Sequence, residues 1–435
     1  MPKPAVAALV AATVSLCHAQ PADPAARARQ FVELLSKSDG AGASALLTAE
    51  MKTKLPPDKL SQIWQGLVTQ AGPFRQFGDS RIEASGSVVF ITCEFEKLKL
   101  DAQVPINKAG LVSGLNFGVH SEYTPPGYVK PSSFHEKDVI VGQGEWSLHG
   151  VLTLPNGIGP FPALILVHGS GPSDRDEALG PNKPFRDIAW GVASRGVAVL
   201  RYNKRSYEHP MSAKAANLTL NEEATDDAVS AAALLRSIPE INPKRIFVLG
   251  HSLGAVVAPR IGRADPAIAG IILEGGVARP YLDLLLTQIA HNQAADGPAN
   301  GAEGKQVAEL KQQIARAKDP DLKPGDPASG LPFGAPATYW LDVRGYRPAE
   351  LARELKQPIL ILQGERDYQA TMEDFALWKQ ALSDRKNVEF AVYPKLNHFF
   401  IAGEGVSSDA EYLKPGHVSA AVVEDIAQWI ARQAK

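Results

Sequence analysis

The sequence predicts an α/β protein: a mostly parallel sheet flanked by helices, preceded by a small α+β domain and interrupted by an insertion between strands. Three observations predict it. From about residue 135 onward, continuous apolar runs such as "FPALILVHG", "VAVLRYN", "RIFVLG" and "AGIILEGG" alternate with helical segments such as "FRDIAWGVASRG" and "SLGAVVAPRIGRA". That is the pattern of strands buried on both faces under crossover helices. Ahead of them, the proline- and glycine-rich stretch "YTPPGYVKPSS" follows a segment that begins with helices and ends in alternating strands. Finally, 435 residues exceed one ordinary domain and suffice for two, each with its own core.

At the N-terminus, "MPKPAVAALVAATVSLCHAQP" places Lys3 before an apolar run from about Ala5 to Cys17, with Cys17 and Ala19 spaced as at a signal-peptidase site. A signal peptide over 1–19, cleaved after Ala19, and export to the periplasm or medium are therefore expected. Leu16 stands where lipid attachment at Cys17 would need a small residue. No later stretch reaches about 18 consecutive apolar residues, so no membrane span is expected.

Residues 23–120 read as the small α+β accessory domain. The segment "PAARARQFVELLSKS" is amphipathic, and "PPDKLSQIWQGLVTQAG" repeats apolar residues at Leu60, Ile63, Trp64, Leu67 and Val68, whereas "SVVFITCEFEKLKLDAQVPINKAG" alternates as strands do. Cys93, in mid-strand, reads as a structural thiol. Residues 121–134 form the linker, and 135–435 the larger domain, which opens on two antiparallel strands in "KDVIVGQGEWSLHGVLTLPNG". The alternation breaks between about 278 and 348, where a charged helix, "GKQVAELKQQIARAK", is followed by loops and the aromatic segment "ATYWLDVRGYRP". This is the insertion. Strands and helices resume with "QPILILQGERD", "MEDFALWKQALSD", "VEFAVYPKLNHFF" and a last helix, "HVSAAVVEDIAQWIARQ", which His417 is expected to begin.

Lys and Arg total 45 against 47 for Asp and Glu, a formal charge of −2, so electrostatics gives no reason to expect a nucleic acid or an anionic membrane as partner. No metal or cofactor is expected: "FHEKD" lacks the second histidine of a zinc helix, and "DPDLKPGD" has too few spaced carboxylates for a calcium loop. "HGSGPSD" begins like a dinucleotide fingerprint, but Asp174 stands where its last glycine should be.

Chemistry concentrates elsewhere. In "RIFVLGHSLGAVVAPR", Ser252 lies where a strand gives way to a helix, with glycines two residues to either side. A nucleophile held on a strained turn leaves no room for side chains there. A serine hydroxyl needs a base to take its proton and an acid to orient that base. Asp367 follows the strand "ILILQG", and His398 follows the next, both at the edge of the sheet that carries Ser252 and in the order serine, acid, histidine. Glu274, after "IILE", is an alternative acid. Oxyanion donors are expected from the backbone N–H of Leu253 and, in the glycine turn after "ALILVHG", of Ser170. Tyr339 and Trp340 of the insertion are candidate substrate contacts. The charged runs Asp174 to Glu177 and "RYNKRS" (Arg201, Lys204, Arg205) read as solvated loops, Asp374 as an exposed helix carboxylate, and His251 as structural.

On "HGSGPSDRDE", "RYNKRS", "GHSLGA", "QGERDYQ" and "LNHFF", the chain from about 135 to 435 resembles the α/β-hydrolase fold superfamily, and within it the bacterial exported esterase and serine-aminopeptidase-like group, whose members often carry a small N-terminal domain of unknown function. Asn203 departs from the aspartate expected in the second of these runs. By that resemblance Ser252, Asp367 and His398 match a catalytic triad, the insertion of about 278–348 matches a substrate-covering cap, and a carboxylesterase acting on small to medium acyl esters is implied. Aminopeptidase and thioesterase activities use the same fold and triad. A binding protein with a vestigial hydrolase is the non-enzymatic alternative.

Overall fold

The computed structural model describes residues 23–82, 88–107, 109–120, 123–209, 217–296 and 301–433; the leader expected over 1–19 lies outside them. The chain divides into two compact units at the boundary between His120 and Ser121.

The smaller unit comprises α1 (Pro24–Ser36), α2 (Gly40–Ala45), α3 (Ala49–Lys54), α4 (Pro57–Ala71), β1 (Phe74–Ile82), β2 (Val88–Phe95), β3 (Lys99–Pro105) and β4 (Asn116–Val119), the strands forming an antiparallel sheet in that order. Asp23 caps α1 by accepting from Ala25 N. The helix buries Ala28, Phe31, Val32 and Leu35, the i, i+3, i+4, i+7 stripe of one face. Leu60 and Trp64 of α4 join them over Val89, Ile91 and Cys93 of β2. Burial pushes the Cys93 thiol up to about 12, so it stays protonated. The short helices α2 and α3 and the mostly exposed edge strand β1 are additions to the two helices and later strands that periodicity predicts.

The larger unit runs β5 (Phe134–Val141), β6 (Leu148–Pro155), β7 (Phe161–Val167), α5 (Pro184–Ala193), β8 (Ala198–Tyr202), α6 (Arg205–Glu208), α7 (Asp226–Arg236), β9 (Ile241–His251), α8 (Leu253–Ala264), β10 (Gly270–Glu274), α9 (Tyr281–Asp296), α10 (Gly301–Lys318), α11 (Ala337–Gly345), α12 (Pro348–Glu354), β11 (Ile359–Gly364), α13 (Met372–Leu382), β12 (Val388–Tyr393) and α14 (Ala420–Arg432). Its sheet has the order β12-β11-β10-β9-β7-β8-β6-β5. From β12 through β8 neighbours pair in parallel, and β6 is antiparallel to both β8 and β5. Side chains alternate across the sheet with period two: Ile246 and Val248 of β9 face α7, α8 and α13, whereas Phe247 and Leu249 face α5 and α14. The alternation explains why every central strand reads as an unbroken apolar run.

Between β10 and β11 the chain leaves the sheet for the helical insertion α9 to α12. The aromatic segment forms the helix α11, which buries Tyr339, Trp340 and Val343. Two arginine–aspartate pairs are among the ties that hold the insertion. Arg260 of α8 grips Asp342 of α11 with two hydrogen bonds of 2.8 and 2.7 Å. Arg279, at its start, reaches Asp374 of α13 from Nη2 at 2.8 Å. Asp374 is fully buried rather than exposed: besides the Arg279 guanidinium it accepts from the backbone of Ala278 and Arg279 and closes the capping box of α13 with Thr371. His417 does not begin the last helix, which starts at Ala420; it sits beside the Asp187 carboxylate at 3.2 Å.

Candidate active site

Ser252 occupies the sharp turn between β9 and α8 with φ 53° and ψ −114°, a left-handed backbone that costs a side-chain-bearing residue of order 1–3 kcal/mol. The flanking glycines allow it. A Cβ at Gly250 would lie 2.1 Å from Gly254 O, and one at Gly254 would lie 2.1 Å from Val167 O at the end of β7. Ser252 N donates to Glu274 O at 2.9 Å, which stitches the turn to β10. The side chain is half-buried at the N-terminus of α8, where Leu253 N–H is one of the unpaired first-turn donors and the helix dipole favours negative charge.

Asp367 and His398 lie in the loops after β11 and β12. His398 Nδ1 is 2.7 Å from Asp367 Oδ2, both side chains almost wholly buried. The other carboxylate oxygen, Oδ1, accepts from Gln369 N at 2.8 Å and Ala370 N at 2.9 Å. A carboxylate only accepts, so Nδ1 carries a hydrogen and Nε2 is the ring nitrogen turned away from Asp367. The pair converges on β10: a Cβ at Gly275 would stand 3.3 Å from both Asp367 Oδ2 and His398 Nδ1. Since Glu274 O receives the Ser252 amide, the serine turn and the acid–histidine pair share this strand end. Glu274, the alternative acid, is 2% exposed, and burial raises its carboxyl to about 7, against the pull of nearby His251.

The loop after β7 packs on the serine turn, where a Cβ at Gly169 would stand 3.2 Å from Ser252 Cβ. Both polar groups of the Gly169 backbone are taken by side chains: its N–H donates to Glu177 Oε1 at 2.6 Å, and its carbonyl accepts from Lys204 Nζ at 2.7 Å. Ser170, next along, is exposed.

These partners correct the reading of the charged runs as solvated loops. Asp176, Glu177, Arg201 and Lys204 are each less than 9% exposed. Arg201 pairs with Asp176 and Glu136, Lys204 with Glu223, and Arg205 with Asp227. Asn203, also buried, accepts from Arg175 N and donates to Glu208. Charges survive burial when each finds an opposite partner and further hydrogen bonds. The one hint in the sequence was position: both runs directly follow strands at the edge that carries Ser252.

A cavity of about 580 Å³ opens beside this loop, its walls including Ser170, Glu223, Tyr281, Tyr339 and Trp340. Burial raises the Tyr281 phenol to about 12, against the smaller pull of the nearby Ser170 hydroxyl. The structure thus brings Ser170, Tyr339 and Trp340 to one cavity, and Ser252, Asp367 and His398 to the neighbouring end of β10. Among the described residues no group of three or more His, Cys, Asp or Glu is arranged to hold a metal, and no helix is long and apolar enough to cross a membrane.

Residues 28–115 match a family described as a protein of unknown function, DUF3887, and residues 164–408 match the alpha/beta hydrolase family. Esterase EstD of Thermotoga maritima is 37% identical over 406 residues, covering 92% of this chain and 94% of its own. Esterase FrsA of Klebsiella pneumoniae is 24% identical over 181 residues, 38% of this chain and 41% of its own. The solved structure of a Pyrococcus furiosus esterase aligns with 73% of this chain and 97% of its own at a TM-score of 0.44 and 17% identity. With its parallel sheet, its serine turn after β9 and a family match over more than half its length, the chain belongs to the alpha/beta hydrolase family.

Proposed function

We propose that this protein is a serine carboxylesterase acting on small to medium acyl esters. Ser252 Oγ attacks the ester carbonyl as His398 Nε2 takes its proton; the Leu253 and Ser170 amides hold the resulting oxyanion; the oxyanion collapses, and the alcohol leaves with the proton from His398. Water then attacks the acyl-enzyme by the same route, releasing the acid and restoring Ser252. The observation that carries this reading is the buried 2.7 Å contact between His398 Nδ1 and Asp367, since it leaves Nε2 as the proton acceptor. Ser170 is favoured as second donor because the Gly169 N–H is already committed to Glu177. The 37% identity to an esterase over nearly the whole chain supports ester chemistry, and a cavity of about 580 Å³ with Tyr339 and Trp340 on its wall suits a substrate of this size.

An aminopeptidase would need a carboxylate open to the free amine of its substrate. Glu274 is buried, and Glu223 on the cavity wall is already paired with Lys204; both weigh against that reading. The test is turnover of p-nitrophenyl esters of graded chain length beside aminoacyl p-nitroanilides, with wild type and Ser252→Ala. Ester turnover that Ser252→Ala lowers by at least about 10⁴-fold supports the proposal, whereas preferential anilide cleavage, or an active Ser252→Ala, refutes it. Export through the leader over 1–19 is proposed with it, and an N-terminus at Gln20 in protein recovered from the periplasm or medium is the expected result.

A further inference from the structure

His251 immediately precedes Ser252 and ends β9, so it moves with the serine turn. Its side chain reaches in two directions. Nε2 is 3.0 Å from the carbonyl oxygen of His398, and because a carbonyl only accepts, Nε2 must carry a hydrogen. On the opposite side, Nδ1 stands 3.0 Å from Glu177 Oε2 in a contact more ionic than directional. The other oxygen of Glu177 takes the Gly169 N–H at 2.6 Å. Glu177 itself is held at φ 49°, a left-handed backbone. The His251 ring also packs against the rings of His398 and Phe399, with centroids 4.7 and 5.0 Å away. His251 and Glu177 are 3% and 6% exposed.

We propose that His251 is a positioning residue that ties the Gly169–Ser170 loop to the His398 loop and so sets the distance between oxyanion donor and general base. The proposal rests on the catalytic roles given above to Ser252, His398 and Ser170. Those two loops follow strands β7 and β12, on opposite sides of β9 in the sheet, and a single ring attached to the serine turn links both. From the other face, Lys204 fixes the Gly169 carbonyl and is in turn fixed by Glu223. The charged and titratable groups around His251 are Glu177 and His168 from the β7 side, Glu274 from β10, and His398 with its partner Asp367. Burial works against a charged ring, yet Glu177 foremost, then Glu274 and the His398 carbonyl, raise His251 to about 9, so it is a cation through the neutral range.

The test compares full-length wild type, Ser252→Ala, His251→Phe and Glu177→Gln on one p-nitrophenyl ester across pH, with thermal melting of each. His251→Phe keeps a ring against His398 and Phe399 but removes both polar ties; Glu177→Gln keeps the acceptor for Gly169 and removes the charge that faces His251. The expected result is a fall in kcat of about 10²-fold for His251→Phe and about 10-fold for Glu177→Gln, with KM within about threefold of wild type, because misplacing catalytic groups taxes the reacting step rather than ground-state binding. The acid limb of kcat/KM moves to higher pH in His251→Phe, because a cation no longer stands beside the base; loss of packing alone would leave that limb in place. Wild-type kcat in both folded variants, or a change confined to melting temperature or KM, overturns the proposal. If His251→Phe does not fold, Glu177→Gln decides by the same criteria. Should Ser252→Ala remain active, the catalytic reading fails and the positioning role with it; an inactive Ser252→Ala beside a fully active His251→Phe removes the positioning role alone.

Discussion

Single side chains in this site act through what their partners allow. Asp367 gives one oxygen to His398 Nδ1 and the other to two backbone amides, so Asp367→Asn would present the same shape with a donor where an acceptor is needed. A fall in kcat of about 10³–10⁴-fold is expected, with a melting temperature close to wild type, since the group fixes a tautomer rather than the fold. Glu274 makes a different prediction. Its carboxyl rises from 4.5 to about 7 through burial. A carboxyl raised in the folded state stabilises the fold while protonated; that contribution is complete below about 4.5 and is lost as pH rises through about 7. Glu274→Gln should therefore melt a few degrees above wild type at pH 8 and show little difference at pH 4, measured by scanning calorimetry. Equal melting curves at pH 8 would mean that Glu274 ionises in the fold at no cost.

At the scale of elements, the serine turn works because β7, β9 and α8 approach more closely than side chains permit. Gly254→Ala would drive a methyl to within 2.1 Å of Val167 O, and rigid strand backbone cannot yield as a flexible side chain would. Loss of about 1–3 kcal/mol of stability, together with most esterase activity, is expected from denaturant unfolding and turnover assays; an active Gly254→Ala of wild-type stability would contradict the geometry. The sequence makes this element readable because strand, glycine spacing and helix all point one way. The same holds for the loops after β11 and β12, where buried strands announce their ends and bring Asp367 and His398 into contact. The neighbours that hold these loops were hidden. Whether Lys204, Arg201 or Asp374 is solvated depends on partners 19, 25 and 95 residues away, and no local period records a pairing over such separations. Likewise, β1 alternates weakly because its residues are mostly exposed.

For the whole molecule, the cores are segregated along the chain. One apolar cluster is built from residues between Ala28 and Val112, and the clusters on either face of the larger sheet draw on residues from Val141 onward. Each unit thus buries its own apolar surface, which is the condition for independent cooperative unfolding. Calorimetry of the full-length protein should resolve two transitions, and covalent labelling of the active site should raise only the larger one, because a bound group stabilises the unit that holds it. A single transition that moves as a whole on labelling would mean that the units unfold as one.

Ester hydrolysis at this site depends on Ser252 as nucleophile, and the most direct measurement of that is mass spectrometry of the full-length protein after reaction with a fluorophosphonate. One adduct per chain is expected, on the peptide containing Gly250 to Gly254 and localised to Ser252, with none in Ser252→Ala. An adduct on another residue, or equal labelling of Ser252→Ala, would contradict it.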